Sequence, residues 1–271
     1  MNDDFSEFSG YASDDNISEE NFFALPEEVK VPAYTSLIYG NVYNNLENSS
    51  KLDTVGSARK RTFYQYQKLI NSMLREVKMN QSVLQMGLTF GNEIDQVAQR
   101  IGAYGQFDVI DVNPLQVSRN KEKYGNIYPA MNIWNYDAAE FKFEKKYDAV
   151  ICFFLLSELP VVTKGKVINN ALRAVKEGGS AVFVDWHNPL PWHPLRYLVR
   201  MHNRLFHPFA EKLWDREIDT FAERKTEYLW RKSTYFGRMF QKVVATRKEN
   251  PVKQAEEMAP VEEEGYFLPD F

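Results

Sequence analysis

One cysteine and four histidines in 271 residues leave little material for a disulfide framework or a zinc cluster. Cys152 stands in the apolar run from Ala149 to Leu156, where it reads as a small buried hydrophobe in a chain kept in a reducing compartment. No apolar run reaches the roughly 18 residues that span a bilayer. The N-terminus opens with Asp3, Asp4 and Glu7 where a leader peptide would be basic. A P-loop, a Gly-x-Ser-x-Gly elbow, zinc-type cysteine spacing and internal repeats are all missing. These absences predict a cytoplasmic chain, soluble or at most peripheral to a membrane, with one sizeable core.

The net charge of −4 conceals an uneven distribution. Residues 1–30 carry nine acids against one lysine, and residues 248–271 carry seven acids against two lysines, so 31–247 is left at +9. A basic body between acidic tails suits an anionic ligand or an anionic surface. Nucleic acid is not expected as a partner: there is no Asn-Pro-Pro-Tyr-type motif and no aromatic-interleaved basic stripe outside one late segment. The tails themselves, polar and aperiodic, read as disordered.

Residues 31–78 read as a helical extension: Tyr34, Ile38, Val42, Tyr43 and Leu46 recur at helical spacing, Ser50 to Gly56 is a loop, and a second helix runs from Ser57 to Val77. After Asn80, short apolar runs alternate with amphipathic stretches, the pattern of a parallel sheet covered by helices. Strands are predicted at Ser82–Met86, Gln106–Ile110, Tyr128–Asn132, Tyr147–Phe153 and Ser180–Val184. Helices are predicted at Asn92–Ile101, Pro114–Tyr124 and Lys164–Val175. Thr226–Lys232 and Phe240–Arg247 close the main domain, 79–247, as an antiparallel pair around Gly237. The fold class is α/β, Rossmann-like: a mostly parallel seven-stranded sheet with an antiparallel C-terminal strand pair, a helical N-terminal extension and an insertion, 186–225, after strand 5.

Met86-Gly87-Leu88-Thr89-Phe90-Gly91 is a strand end, a tight turn and a helix start, and Asp111 ends the next strand. Such a turn lets backbone amides approach a nucleotide, and a carboxylate at that distance accepts from two ribose hydroxyls. Taken alone, the turn fits a nicotinamide cofactor or a plain strand-to-helix junction equally well.

The order of the later segments resembles the class I S-adenosylmethionine-dependent methyltransferases. Gln85-x-Gly87-x-Thr89-x-Gly91 corresponds to the family's acid-x-Gly-x-Gly-x-Gly, Asp111 to its ribose acid, and Asp137-Ala138 to its adenine-side pair. Leu156-Ser157-Glu158-Leu159-Pro160 and Leu172-Arg173-Ala174-Val175-Lys176-Glu177-Gly178-Gly179 are similar to two further family stretches. The resemblance implies S-adenosyl-L-methionine as cofactor, with Gly87, Thr89, Gly91, Asp111, Val112, Asp137, Ala138 and Phe153 around it. Gln85 and Thr89 depart from the family pattern. The Thr89 side chain should crowd the cofactor unless the turn widens, and its hydroxyl then offers a new hydrogen bond.

The insertion narrows the likeness. His193-Pro194-Leu195-Arg196-Tyr197, Pro208-Phe209-Ala210, Leu213-Trp214-x-x-Glu217-Ile218 and Phe153-Phe154-Leu155-Leu156 resemble the rhodoquinone biosynthesis branch. That branch replaces a ubiquinone methoxy group by an amino group, with S-adenosylmethionine as nitrogen source and a manganese requirement. Ser157 and Phe90 depart from it. The resemblance implies a lipid quinone substrate and acid–base groups among Glu158, Asp185, His187 and His193, at strand ends facing the cofactor. Asp185, His187 and His193 are also the candidate metal set, although their spacing fits no standard ligand pattern. Two alternatives stay open: an ordinary O-, C- or N-methyltransferase of a small aromatic, and a non-catalytic cofactor-binding module.

In the insertion, Leu195, Leu198, Val199, Leu205, Phe206 and Phe209 recur at helical spacing beside Arg196, Arg200 and Arg204, with Trp192 and Trp214 near the ends. Two readings follow: a lid packed on the domain, or a helix making peripheral contact with the anionic face of the inner membrane.

Overall fold

The computed structural model describes residues 29–40, 42–140 and 146–249. Nearly all of both acidic tails, expected as disordered, lies outside these residues. The sheet has seven strands: β1 Ser82–Met86, β2 Gln106–Asp111, β3 Met131–Asn135, β4 Tyr147–Phe153, β5 Val175–Trp186, β6 Tyr228–Tyr235 and β7 Phe240–Arg247. Their order is β3-β2-β1-β4-β5-β7-β6, with β7 antiparallel to both of its neighbours.

Alternation along the strands splits the core into two halves. Ala149, Ile151 and Phe153 of β4 join Val83 and Val182 on one face, while Val150 and Cys152 join Leu84 and Phe183 on the other. The first face is covered by α3 Tyr66–Leu74, α4 Glu93–Ile101 and α5 Pro114–Tyr124, and the second by α6 Val161–Ala174. β1 pairs with β2 on one side and β4 on the other, so the chain reverses its winding between β1 and β4. A crevice at the carboxyl ends of those two strands is where such sheets bind ligands.

Three expectations change. The third strand begins at Met131 because the Ile127 and Tyr128 amides donate back to the Tyr124 carbonyl, extending the end of α5 into a turn through Pro129. The fifth strand reaches back to Val175, with a register irregularity opposite Tyr147 to Ala149. The helix expected from Ser57 to Val77 is two, α2 Val55–Arg61 and α3, preceded by α1 Leu46–Leu52 where the front of a loop was expected. The break comes from Phe63 and Tyr64, both at positive φ (49° and 61°). The Tyr64 amide closes α2 on the Arg59 carbonyl at 2.7 Å, and the turn sends the Phe63 ring against Trp186 and His202. Asn45 and Thr54 cap α1 and α2 through their side-chain oxygens, leaving only Asp53 and Thr54 between the helices.

Beyond β5 the insertion folds as α7 Arg196–Phe206, the short α8 Lys212–Asp215 and two single 3-10 turns. Before α1, residues Ala33–Gly40 form a 3-10 helix that packs against α7.

Candidate active site

β1 ends in a turn whose two glycines sit at φ 88° (Gly87) and 108° (Gly91), conformations that other residues reach only with strain. Gly91 also has no room for a side chain, since an added Cβ would lie 2.5 Å from the Tyr66 hydroxyl. One strand over, Asp111 accepts the Leu88 amide on Oδ2 and the Asn113 amide on Oδ1, both at 2.8 Å. Burial, reinforced by nearby Asp137 and opposed by those two amides, pushes the Asp111 carboxyl up to about 6. Each oxygen keeps a lone-pair direction, enough for the vicinal hydroxyls of a ribose.

Gln85 and Thr89, the two departures from the family turn, meet on one carboxylate. Glu93, fully buried in the first turn of α4, accepts from Gln85 Nε2 at 2.9 Å and from the Thr89 hydroxyl at 2.8 Å on the same oxygen. Burial raises Glu93 to about 7 against those two hydrogen bonds. The acid missing at position 85 is thus supplied from eight residues further along. The Thr89 hydroxyl is turned back into this network.

The crevice opens into a cavity enclosing about 960 Å³ of empty space, part of it continuous with solvent. Gly87, Leu88, Thr89, Phe90, Asp111, Val112 and Asn113 form its floor, and Phe153, Phe154, Leu155, Glu158 and Trp186 its aromatic end. The N-terminal extension supplies the far wall through Tyr34, Thr35, Ile38, Ala58, Arg61, Thr62 and Tyr66. Arg61, the basic side chain among the described lining residues, stacks over Phe90 at 5.2 Å. Phe154 is held at φ 56° and packs edge-on against Phe153, Trp186 and Phe240, a strained position at the site for a bulky residue. The Trp186 indole nitrogen is buried without a hydrogen-bond partner among the described residues.

Of the four acid–base candidates, only Glu158 lines the cavity. Asp185 is buried, accepting the Ser157 amide at 3.0 Å and the Trp186 amide at 2.7 Å; burial raises its carboxyl, and the Lys164 ammonium offsets part of the rise. His187 accepts from Lys232 Nζ at 2.8 Å on Nε2 and faces the Arg238 and Asn188 carbonyls through Nδ1; burial, then Lys232, lowers its pKa. His193 Nδ1 accepts the Leu195 amide at 3.2 Å, and its ring packs on Phe236 and Gly237. Asp185 therefore ties down the turn after β4, and His187 and His193 tie down the insertion, with none of the three in the cavity wall. The histidine that does line it is His207, just after α7, stacked on Trp186. Burial, followed by the charges of His202 and Arg61, depresses His207 to about 3, so it is neutral across the physiological range. Asp137 and Ala138 stand beside the cavity, not in its wall: Asp137 is near enough to act on Asp111 and Tyr34, and it accepts the Ala139 amide at 2.8 Å. Among the described residues no three His, Cys, Asp or Glu side chains converge on one point, so the donor set does not fit manganese.

Residues 83–179 match the family model described as a methyltransferase domain. The match covers the strand–helix core of the fold, just over a third of the chain. Solved structures agree in fold. The N-methyltransferase NodS from Bradyrhizobium japonicum, determined with S-adenosyl-L-homocysteine, superposes with a TM-score of 0.54 at 16% identity over 80% of this chain and 98% of its own. An O-methyltransferase family protein from Burkholderia thailandensis gives 0.59 at 13% identity over 79% and 64%. A SAM-dependent methyltransferase from Aquifex aeolicus gives 0.53 at 17% over 74% and 97%. At these identities the likeness is one of fold. No protein of curated function matches the chain by sequence. The matched segment thus runs from β1 into β5, and the cavity wall built by Tyr34 to Tyr66 lies outside it.

Proposed function

We propose that the chain is an S-adenosylmethionine-dependent transferase whose acceptor is a flat, uncharged ring of the quinone class, and that it replaces a ring methoxy group by an amino group. The observation that carries the ring acceptor is the aromatic end of the cavity. Phe153, Phe154 and Trp186 wall it with apolar faces, His207 is neutral there, and the unused Trp186 N–H suits a ring carbonyl. The cofactor fits the other end: Asp111 for the ribose, the Gly87 to Gly91 turn for the backbone approach, and Arg61 for the methionine carboxylate. Bound there, S-adenosylmethionine would supply its methyl group, leaving S-adenosylhomocysteine, or, in the amination, its amino nitrogen: methanol leaves the ring as the nitrogen adds, and the quinone takes two electrons from the Cα–N unit so that water frees the ring amine, in the hydroquinone state, and a 2-oxo acid. Tyr34 and Glu158 line the cavity without being committed to the cofactor, and either can hold or move a proton. No step is assigned to a metal.

Amination rests on the resemblance in the insertion, and ordinary methyl transfer to a small aromatic is the second reading. The two leave different atoms in the product. The protein is incubated with ubiquinone and S-adenosylmethionine labelled separately with amino ¹⁵N and methyl ¹³C, and the lipid extract is read by mass spectrometry. Quinone that gains ¹⁵N and loses a methoxy group supports amination; ¹³C in the product means methyl transfer. Cofactor binding with no product from any quinone or phenol means a binding module.

A further inference from the structure

α7 presents three faces. Val199 and Asn203 are fully buried, and His202 and Phe206 beside them stack toward Trp186 and His207. Half a turn away, Tyr197, Leu198, Met201 and Leu205 are 81%, 47%, 55% and 63% exposed, with the exposed Trp192 just ahead of the helix. Between these faces runs the third, Arg196, Arg200 and Arg204 at successive i, i+4 positions. A lid helix buries its apolar residues on the domain; this one buries a stripe and leaves a second apolar stripe in water.

The charge beside that stripe is unbalanced. Glu211 bridges both Arg200 (3.2 Å) and Arg204 (3.4 Å), so one carboxylate faces two guanidiniums, and Arg196 donates to the Pro189 carbonyl. Residues 192–216 carry five basic and two acidic side chains. The helix also borders the cavity: His207 follows it directly, and the 3-10 helix bearing Tyr34 and Ile38 packs on it.

We propose that this face of α7 docks on an anionic lipid bilayer. Trp192, Leu198, Met201 and Leu205 enter the boundary between headgroups and acyl chains, while the arginine stripe meets lipid phosphates, as in helices that lie in the membrane interface. Positive charge next to the exposed apolar stripe selects this occupant over a protein groove, which would need only the apolar face. The cavity then lies beside the membrane surface. Docking does not depend on the acceptor proposed above, and it is read without turnover.

The test is co-sedimentation of the full chain with phosphatidylcholine vesicles and with vesicles containing phosphatidylglycerol, at low and at physiological salt. It compares the wild type, Arg196→Gln/Arg200→Gln/Arg204→Gln, and Leu198→Asn/Met201→Asn/Leu205→Asn. Melting temperatures confirm that each protein is folded. The expected result is binding to phosphatidylglycerol vesicles that weakens in high salt and falls about tenfold or more in each variant. Equal binding by all three proteins would overturn the proposal, as would no binding by the wild type at low salt. So would a dimer in solution that the asparagine variant abolishes, since a second copy would then be what covers the stripe.

Discussion

Asp53 Oδ1 accepts the Gly91 amide at 2.7 Å, although the two residues belong to different parts of the chain: the N-terminal extension and the cofactor turn. The other oxygen of Asp53 pairs with Arg119 at 2.6 Å and Lys123 at 2.9 Å, and Lys123 also donates to the Gly91 carbonyl at 3.2 Å. Burial works against the Asp53 charge, but Lys123, the Gly91 amide and Arg119 hold its carboxyl below the usual range. The extension therefore braces the turn as well as walling the cavity.

Replacing Asp53 by alanine takes the acceptor from the Gly91 amide and the counter-charge from Arg119 and Lys123. It should lower stability by about 2–4 kcal/mol. Because the turn it frees approaches the cofactor, S-adenosylmethionine affinity should fall about tenfold. Thermal melting and calorimetry check the two effects; unchanged affinity would show that the brace does not reach the site.

Asp111 ties cofactor affinity to pH. On the proposed placement, ribose hydroxyls donate to the carboxylate, so its protonation competes with binding. With a pKa of about 6 in the free protein, the dissociation constant should rise as pH falls below 6, toward tenfold per unit. Asp111→Asn should bind roughly ten- to a hundredfold more weakly at neutral pH and lose most of the pH dependence. Calorimetric titrations between pH 5 and 8 read both effects; a flat wild-type profile would remove Asp111 from the ribose.

The parallel strands and the strand-end acid were legible because they follow from local rules: apolar runs of strand length, and Asp111 just past one of them. What stayed hidden depends on distant contacts. Nothing local marks Phe63 and Tyr64 as a helix break, since that geometry is bought by packing on Trp186, more than a hundred residues away. The sequence offers His187 and His193 as strand-end candidates, yet only the three-dimensional path of the insertion shows that these two tie loops down while His207 lines the cavity. Glu93 was readable in principle: an acid in the first helical turn, one helical turn beyond Thr89, can replace the one missing at Gln85.

Burial raises the Glu93 carboxyl to about 7 in the folded protein, against about 4.5 for an ordinary glutamate. Between those values the native state binds more protons than the unfolded chain, so on this group's account stability falls as pH rises from about 4.5 to 7. Glu93→Gln cannot ionise. Its stability relative to wild type should therefore increase across that window and level off above it. Denaturant midpoints at half-unit pH steps give the difference; one that is constant with pH would mean that Glu93 stays charged.

Gly91 combines positive φ with a full site. Gly91→Ala should cost about 2–4 kcal/mol from backbone strain and from the clash with Tyr66. In a Tyr66→Phe background the hydroxyl at 2.5 Å is gone, so the same substitution should cost about 1 kcal/mol less, while the φ penalty stays. Additive costs in the double-mutant cycle would place the strain in the backbone alone.

His207 and His193 offer the sharpest comparison, because the sequence singles out His193 and the fold puts His207 in the cavity instead. His207 lines the cavity against Trp186, and with a pKa near 3 it is neutral at any working pH, so the role proposed for it is contact and hydrogen bonding with an uncharged acceptor. His207→Ala should lower kcat/KM for the acceptor by about tenfold or more, while cofactor affinity changes little. The activity profile between pH 5 and 8 should keep its shape, since no ionisation is removed. His193→Ala takes away the acceptor for the Leu195 amide and the ring over Gly237. It should therefore lower the melting temperature while leaving kcat/KM within about twofold at a temperature where the protein is folded. Measured together with calorimetry for the cofactor, the pair decides which histidine meets the acceptor: if His193→Ala abolishes turnover in a folded protein and His207→Ala does not, the ring binds outside the aromatic cavity, toward Phe236.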